Sequence, residues 1–501
     1  MKLAFVTAKL EGRFSNNLQN QHHFMLEMIV RMFFIFTAYF LSIMNLTSIK
    51  ILLPDIMADL GVSLNWLTWV VNAYTLPVAA LIPIAGRVGD MYGPRRFFLA
   101  GLFVLGIGSL LCGTAFSLSW LLVGRVVQAL GAAMLVPNSL AILLSKTEEG
   151  QRGKILGIWG SIGAAGAVIG PVVSGYLADL FSWRGSFQII AVVAVIIVIA
   201  AGRQMIANKE LGTYVRGTKG NFDVTGALLL ISSTATLLLG ITLLPDWGWQ
   251  NNWIRISMVA FVLMIYAFYR TEKASSDPLL SPVLMRDPRF NLGLFVGFIE
   301  QFVVAGTVFV MPIFFNTVQG QSASATALLL TPAAITVALV SPVGGRIADR
   351  FGPGLPILFG MIIRSGSFLM LSQITTETAY PFIAVGLALN GLGFALTHTP
   401  ALYSVLSTVS SNEHGITSGV HNMVRFTGAA AGTTIGGIIL YALMPASFEG
   451  LTGPIPGFRD VYYLTAAVCL PGVAAGVYLT WLRRVTLERK LILNKLQRER
   501  I

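Results

Sequence analysis

Long apolar stretches separated by short polar turns set the rhythm of this chain from residue 30 to residue 482. A membrane helix needs ~20 apolar residues. Scanned at about that width, the sequence predicts fourteen spans, at 30–53, 66–85, 97–117, 119–144, 155–179, 186–202, 223–243, 253–270, 290–315, 323–344, 355–374, 380–408, 415–441 and 460–482. The first 27 residues include His22, His23 and Glu27 and have no short apolar stretch followed by a small-residue cleavage site. They do not read as a signal peptide, so the first span is expected to stay uncleaved.

Composition narrows the classes further. Of 501 residues, 55% are apolar and 11% charged, against about 25% charged in a soluble domain. A large soluble enzyme is excluded, and so is intrinsic disorder, which needs low hydrophobicity and high net charge. Cys112 and Cys469 sit far apart inside apolar runs, which leaves no disulfide or zinc framework. No metal or cofactor is expected.

The net charge of +12 is answered by topology rather than by nucleic acid. With the N-terminus cytoplasmic, 27 of the 34 lysines and arginines fall in inside loops, tails and the inner ends of spans, Arg31 and Arg270 among them. Three at most (Arg184, Arg255 and Arg459) fall on the outside, and four (Lys50, Arg125, Arg364 and Arg425) lie deeper within spans. This is the positive-inside asymmetry of a multi-pass protein. It puts both termini in the cytoplasm and the basic tail near anionic membrane lipid.

The chain repeats itself. Gly86-Arg87-Val88-Gly89-Asp90-Met91-Tyr92-Gly93-Pro94 recurs 259 residues later as Gly345-Arg346-Ile347-Ala348-Asp349-Arg350-Phe351-Gly352-Pro353. At an offset of 262, Gly153, Gly157, Gly166, Gly170 and Gly175 align with Gly415, Gly419, Gly428, Gly432 and Gly437. Two six-span halves in the same orientation are therefore expected, a known transporter architecture. The expected division is a cytoplasmic segment (1–29), an N-terminal six-helix bundle (30–202), two inserted helices with their loops (203–289), a C-terminal six-helix bundle (290–482) and a basic tail (483–501).

These residues resemble the major facilitator superfamily, and specifically its fourteen-span drug:proton antiporters of the EmrB/QacA type. Gly86 to Arg96 is similar to the signature loop between spans 2 and 3. Arg125, Gln128, Gly131, Ala132, Ala133 and Pro137 resemble the span-4 motif. Gly166 to Pro171 with Gly175 resembles the span-5 antiporter motif, and Trp183-Arg184 with Phe187 fits the turn after it. The resemblance implies an all-α integral membrane fold of two six-helix bundles plus two inserted helices. It also implies secondary transport by a monomer, exchanging protons for a small amphipathic substrate.

The motifs have physical content of their own. Asp90 suits the partial positive charge of a helix N-terminus, while Arg95 and Arg96 can bridge to carboxylates or lipid phosphates. The resemblance implies a latch between halves built on Gly86, Asp90, Gly93, Arg95, Arg96 and Asp349; plain positive-inside anchoring is the alternative. Gly166 and Gly170 share a helix face that lets another helix approach closely, and Pro171 removes an internal hydrogen bond. Its repeat position holds Thr433, so the halves are not equivalent. A gating interface and generic tight packing both fit.

Ionisable groups inside a membrane are functional candidates by default. Glu300 is the one acidic residue near the middle of a predicted span and the foremost candidate proton carrier; a static partner for Arg364 or Arg425 is the other reading. Arg125 matches the motif arginine linked by the resemblance to proton coupling, or serves as a hydrogen-bond hub. His398 is a third proton-coupling candidate, or a packing histidine. Asn45, Lys50, Gln301, Arg364, Asn390 and Arg425 are candidate substrate-cavity residues, with Lys50 also able to snorkel outward. Many members of the family it resembles carry an acidic residue in span 1 where Asn45 stands here. Four intramembrane cations against one carboxylate leave a formal +3, which favours neutral or anionic amphipathic substrates.

Other classes lack their chemistry. There is no G-x-x-x-x-G-K-[ST] phosphate cradle and no H-E-x-x-H, so neither an ATP-driven pump nor a metalloprotease is expected. Within transporters, a proton-coupled exporter leads, with a facilitator or proton-symport importer of a small organic anion as the alternative.

Overall fold

The computed structural model describes residues 32–49, 51–53, 55–62, 64–145, 147–207, 222–275, 277–321, 323–444 and 453–498. Among them, thirteen helices are long and apolar enough to cross a membrane. One of these, Arg152–Arg203, has 52 residues. At 1.5 Å per residue it would extend about 78 Å, more than twice a ~30 Å hydrocarbon core. Its backbone breaks at Ser182, with φ 68° and ψ 164°, so it crosses twice. The total is fourteen crossings.

The helices are α1 (Met32–Ile49), α2 (Leu64–Tyr92), α3 (Pro94–Gly113), α4 (Leu118–Leu144), and α5 and α6, the parts of Arg152–Ala207 before and after Ser182. Then come α7 (Val224–Trp247), α8 (Asn252–Ala274), α9 (Pro288–Ile313), α10 (Thr331–Phe351), α11 (Gly354–Leu371), α12 (Tyr380–Leu406), α13 (His414–Leu443) and α14 (Phe458–Arg498).

Local chemistry starts several of them. Ser117 accepts from the Trp120 amide, Asp223 from Gly226, Asn251 from Trp253 and Asp287 from Arg289, each satisfying an amide the helix itself cannot. Pro94, Pro288 and Pro332 occupy first-turn positions, where a missing N–H costs nothing.

Several predicted boundaries move, and the last helix runs on to Arg498, well past its expected end at 482. The span expected at 323–344 resolves into a short helix, Ala323–Leu329, and α10, which begins at Thr331 and continues to Phe351. The Gly86–Arg96 segment, expected as a loop, is helical to Tyr92, and only Gly93 turns the chain. Gly93 (φ 106°) and its repeat partner Gly352 (φ 81°) both lie in the region that favours glycine.

Packing follows the repeat. One apolar core lies among α1–α6, with Tyr74, Phe98, Leu105, Leu135 and Trp159 buried in it. A second, around Val296, Phe314, Met361, Phe368 and Tyr462, lies among α9, α11, α12 and α14. Leu402 and Leu406 of α12 pack into the first core, so the two meet. Helices α7 and α8 pair with each other, and α7 lies against both α2 and α13. Large side chains such as Val195, Ile199, Val259 and Val262 face outward, as lipid requires. The end carrying the α2–α3 and α10–α11 turns, where Arg87, Arg95, Arg96, Lys154 and Arg346 gather, is called the basic end below.

Candidate functional site

Glu300, in the middle of α9, is completely buried. Its Oε2 lies 3.3 Å from Nδ1 of His398 on α12, and its Oε1 lies 3.5 Å from Nη2 of Arg425 on α13. Arg364 on α11, also fully buried, donates from Nη2 to the Glu300 carbonyl at 3.2 Å. The Phe394 ring stacks on His398 with centroids 5.2 Å apart and lies 5.7 Å from the Arg364 guanidinium. Arg425 Nη1 donates to Asn422 Oδ1 at 3.1 Å. Four helices thus converge on one carboxylate. Two guanidiniums against one carboxylate leave the cluster at a formal +1 with its histidines neutral, an uncompensated charge that burial makes costly.

Its construction is loose where it matters. The Arg425 contact is an ion pair without hydrogen-bond geometry, so Glu300 Oε1 and Arg425 Nε are buried with no hydrogen-bond partner. A proton or ligand group reaching Glu300 would therefore compete with a weak tie. On the facing half, Tyr39 of α1 stacks on Trp159 of α5 at 4.0 Å and lies within electrostatic reach of Arg425. Gly160 of α5 abuts Thr399 and His398. The cluster therefore borders the seam between the halves.

The N-terminal half holds a different hub. Arg125, fully buried on α4, donates from Nε to the Val70 carbonyl (3.1 Å) and from Nη1 to Gln128 Oε1 (2.8 Å) and Asn45 Oδ1 (3.4 Å). Gln128 Nε2 donates onward to Asn45 Oδ1 at 3.2 Å and Ser109 Oγ at 2.8 Å. The guanidinium lies over the Tyr74 ring, 4.5 Å from its centroid, a favourable setting for a cation. These partners include no carboxylate. Arg125 and Asn45 meet here; Asn390, also buried, and half-buried Gln301 are not among the hub's partners. Lys50 lies outside the described residues.

At the basic end the repeated aspartates make matching contacts across the seam. Asp90, at the last turn of α2, accepts from the Gly415 amide (3.0 Å) and the Ile416 amide (2.8 Å) at the start of α13. Asp349, at the last turn of α10, accepts from Gly153 (2.8 Å) and Lys154 (3.0 Å) at the start of α5. Each carboxylate meets unpaired amides at the positive end of a helix. Gly86 abuts Gly415, and Gly345 abuts Gly153, so bare backbones touch. Further along α5, Ser161 Oγ donates to the Ala338 carbonyl of α10 at 2.7 Å.

The span-5 glycines divide their work. Gly153 and Gly157 face α10 in the other half, whereas Gly166 and Gly170 face Phe40, Ile43 and Met44 of α1 in their own half. Nothing lies close to Gly175. The repeat holds: Gly428 and Gly432 of α13 meet Phe298 and Phe302 of α9. After the break, the turn is fixed by Arg184, paired to Asp59 at 2.7 Å and stacked over Trp183.

Sequence reasoning missed His421. It is 1% exposed, and neither ring nitrogen has a hydrogen-bond partner. Its ring lies over Gly297, one turn before Glu300 on α9. The available signal was its spacing of four from Arg425, which puts both on one face of α13.

Comparison with known proteins decides the family. The model of the Major Facilitator Superfamily matches residues 35–210 and 224–433, most of the chain. The chain belongs to the major facilitator superfamily. It is similar to the multidrug transporter protein MdtP of Bacillus subtilis, 28% identical over 407 residues that cover 81% of this chain and 74% of that protein. It is also similar to the multidrug resistance protein Stp of Mycobacterium tuberculosis, 29% identical over 411 residues, 82% of this chain and 75% of that one. A third relative is the tetracenomycin C resistance and export protein of Streptomyces glaucescens, 26% identical over 400 residues covering 79% and 72%. Among solved structures, the human organic anion transporter MFSD10 (TETRAN) shares the fold, with a TM-score of 0.64 at 16% identity over 89% of this chain and 98% of that one. As a major facilitator protein, the chain has its two six-helix bundles in α1–α6 and α9–α14, with α7 and α8 as the additional pair.

Proposed function

We propose that this protein is a proton-coupled exporter of amphipathic small molecules that works by alternating access. The observation that carries the reading is the buried Glu300 carboxylate held between His398 and Arg425 on separate helices, in a chain whose relatives are named for multidrug transport, drug resistance and export. Protonating Glu300 removes its tie to Arg425. Arg425 stands on α13, the helix whose first amides hold Asp90, so a proton at the cluster acts on the same element that seals the basic end. Arg125 and His398 share the proton handling, and Asn45, Lys50, Gln301, Arg364, Asn390 and Arg425 contribute to the substrate path. Gly86, Asp90, Gly93, Arg95, Arg96 and Asp349 form the latch that biases the two states. Gly166, Gly170, Pro171 and Gly175 shape the bend of α5.

The excess of basic residues at the basic end makes it cytoplasmic, with both termini inside and the chain in the cell membrane. The bundles comprise residues 30–202 and 290–482, flanked by 1–29, 203–289 and 483–501, and a single chain suffices. A second reading, a facilitator or proton symporter of a small organic anion, draws on Arg125, whose buried charge has no carboxylate among its hydrogen-bond partners.

The test is transport of anionic, neutral and cationic amphiphiles into proton-energised inverted vesicles, comparing wild type with Glu300→Gln. Gradient-driven accumulation that the variant loses supports the exporter. Loss of one charge-assisted contact in the transport cycle is expected to slow exchange by about ten-fold or more. Movement that ignores the gradient in both proteins favours the facilitator.

A further inference from the structure

The Arg125 hub has more donors than acceptors to meet them. A guanidinium can only donate, so Gln128 Oε1 and Asn45 Oδ1 must both turn toward Arg125 Nη1. Asn45 Oδ1 also accepts from Gln128 Nε2, which fixes the orientation of the Asn45 amide. Its Nδ2 is left buried near the Tyr74 hydroxyl, without a hydrogen-bond partner. That hydroxyl is engaged with the Ser42 carbonyl at 3.4 Å. Arg125 Nη2 is buried and unpartnered as well. One turn further along α1, on the face that carries Asn45, the buried Ser48 hydroxyl also has no hydrogen-bond partner.

Charge runs the same way as hydrogen bonding. In the other half, Arg425 faces the Glu300 carboxylate at 3.5 Å. Among the described residues, the groups whose charge bears on Arg125 are Cys112 and Tyr74, and neither is a carboxylate. A buried donor left unmet is costly, and more so when it is charged. Arg125 stands seven residues into α4, which begins at Leu118, or about 10 Å along the helix. Asn45 stands four residues before the end of α1 at Ile49. Both positions lie toward the end of the molecule opposite the basic end, so a ligand there leaves the Asp90 and Asp349 seals intact.

We propose that Arg125 Nη2 and Asn45 Nδ2, with Ser48 beside them, form a binding site for one small monovalent anion, either free chloride or the carboxylate of a substrate. The anion supplies the acceptor and the negative charge that the hub lacks, through charge-assisted hydrogen bonds. For the substrate as a source of that carboxylate, the inference rests on the transport reading above; the site itself does not depend on it.

The test measures binding rather than transport, which separates its failure from failure of the export reading. Thermal unfolding midpoints of the full chain in detergent are followed as chloride, or benzoate, replaces isethionate at constant ionic strength. A ligand that binds only the folded chain raises the midpoint saturably. Wild type is expected to respond. Asn45→Asp places a carboxylate against Arg125 within the chain, and should show a higher midpoint than wild type in isethionate and lose the anion response. Arg125→Gln removes the charge, and should raise the half-saturating anion concentration by about ten-fold or more. A response to chloride supports the site as one for a free anion; a response to benzoate but not to chloride supports it as one for a substrate carboxylate. A wild-type midpoint indifferent to both anions would overturn the proposal. So would an undiminished response in folded Asn45→Asp or Arg125→Gln protein, since the anion would then be bound elsewhere.

Discussion

Ser182 is the one described non-glycine residue with positive φ, and it stands where a single continuous helix would overrun the membrane. At φ 68° and ψ 164° a side chain is strained by about 1–3 kcal/mol. Replacing it with glycine gives back part of that through greater freedom of the unfolded chain. Ser182→Gly is expected to raise stability by about 1 kcal/mol and Ser182→Val to lower it by at least as much. Thermal unfolding midpoints in detergent, falling in the order Gly, Ser, Val, check this. Single residues were also what the sequence disclosed best. Glu300, His398, Arg364 and Arg425 each stand out as ionisable groups in apolar runs, because the cost of burying charge can be read without a fold. Their convergence cannot, since four helices bring them together. Glu272, buried near the end of α8, escaped for a simpler reason: it lies two residues past the predicted end of its span at 270, where a carboxylate looks like an ordinary loop residue.

Helices α5 and α13 show what a repeated glycine pattern encodes. The five aligned pairs point to an interface, and α5 has two, with α10 near its start and with α1 further along. Spacing alone cannot assign those partners, because glycines four apart mark a face without naming what covers it. The structure separates the consequences. Gly170→Leu would press on Met44 and Thr47 within its own half and is expected to destabilise the bundle itself, by about 1–3 kcal/mol as overpacking does. Gly157→Leu would press on Ser341 and Pro342 across the seam, and should disfavour the sealed state while leaving each half intact. Unfolding midpoints paired with distances between spin labels on Tyr92→Cys and Asn412→Cys, exposed sites at the basic end, distinguish the two; a lowered midpoint for Gly157→Leu alone would contradict the assignment. Similarly, the α2–α3 signature was visible as a motif, but its helical course to Tyr92 was not. Glycines suggest a loop until the aspartate is seen to need a rigid helix end to aim it.

Across the two bundles, the paired seals are alike in design and unequal in setting. Asp90 is 5% exposed and has Arg87 nearby, whereas Asp349 is only half-buried. A charge-assisted hydrogen bond is worth more where water is excluded. Asp90→Asn should therefore open the basic end more than Asp349→Asn, by about three-fold in population, equivalent to roughly 0.6 kcal/mol. Accessibility of a cysteine introduced along the α2–α13 seam to a water-soluble thiol reagent measures the difference, and equal effects would count against it. The overall plan of two bundles and an added pair was readable from hydropathy and the repeat, because a membrane confines each segment to a crossing. Which faces of the added pair meet the bundles was not, since α7 and α8 have no counterpart in the repeat to compare with.

Both aspartates accept hydrogen bonds from main-chain amides. Every residue type but proline offers the same amide, so these contacts impose no matching side chain on α13 or α5. Loss of these particular hydrogen bonds cannot be rescued by any exchange of side chain at the amide positions, and paired substitutions through descent would leave them invisible. Only the glycines at 86, 153, 345 and 415, which let the backbones come that close, carry a trace of them.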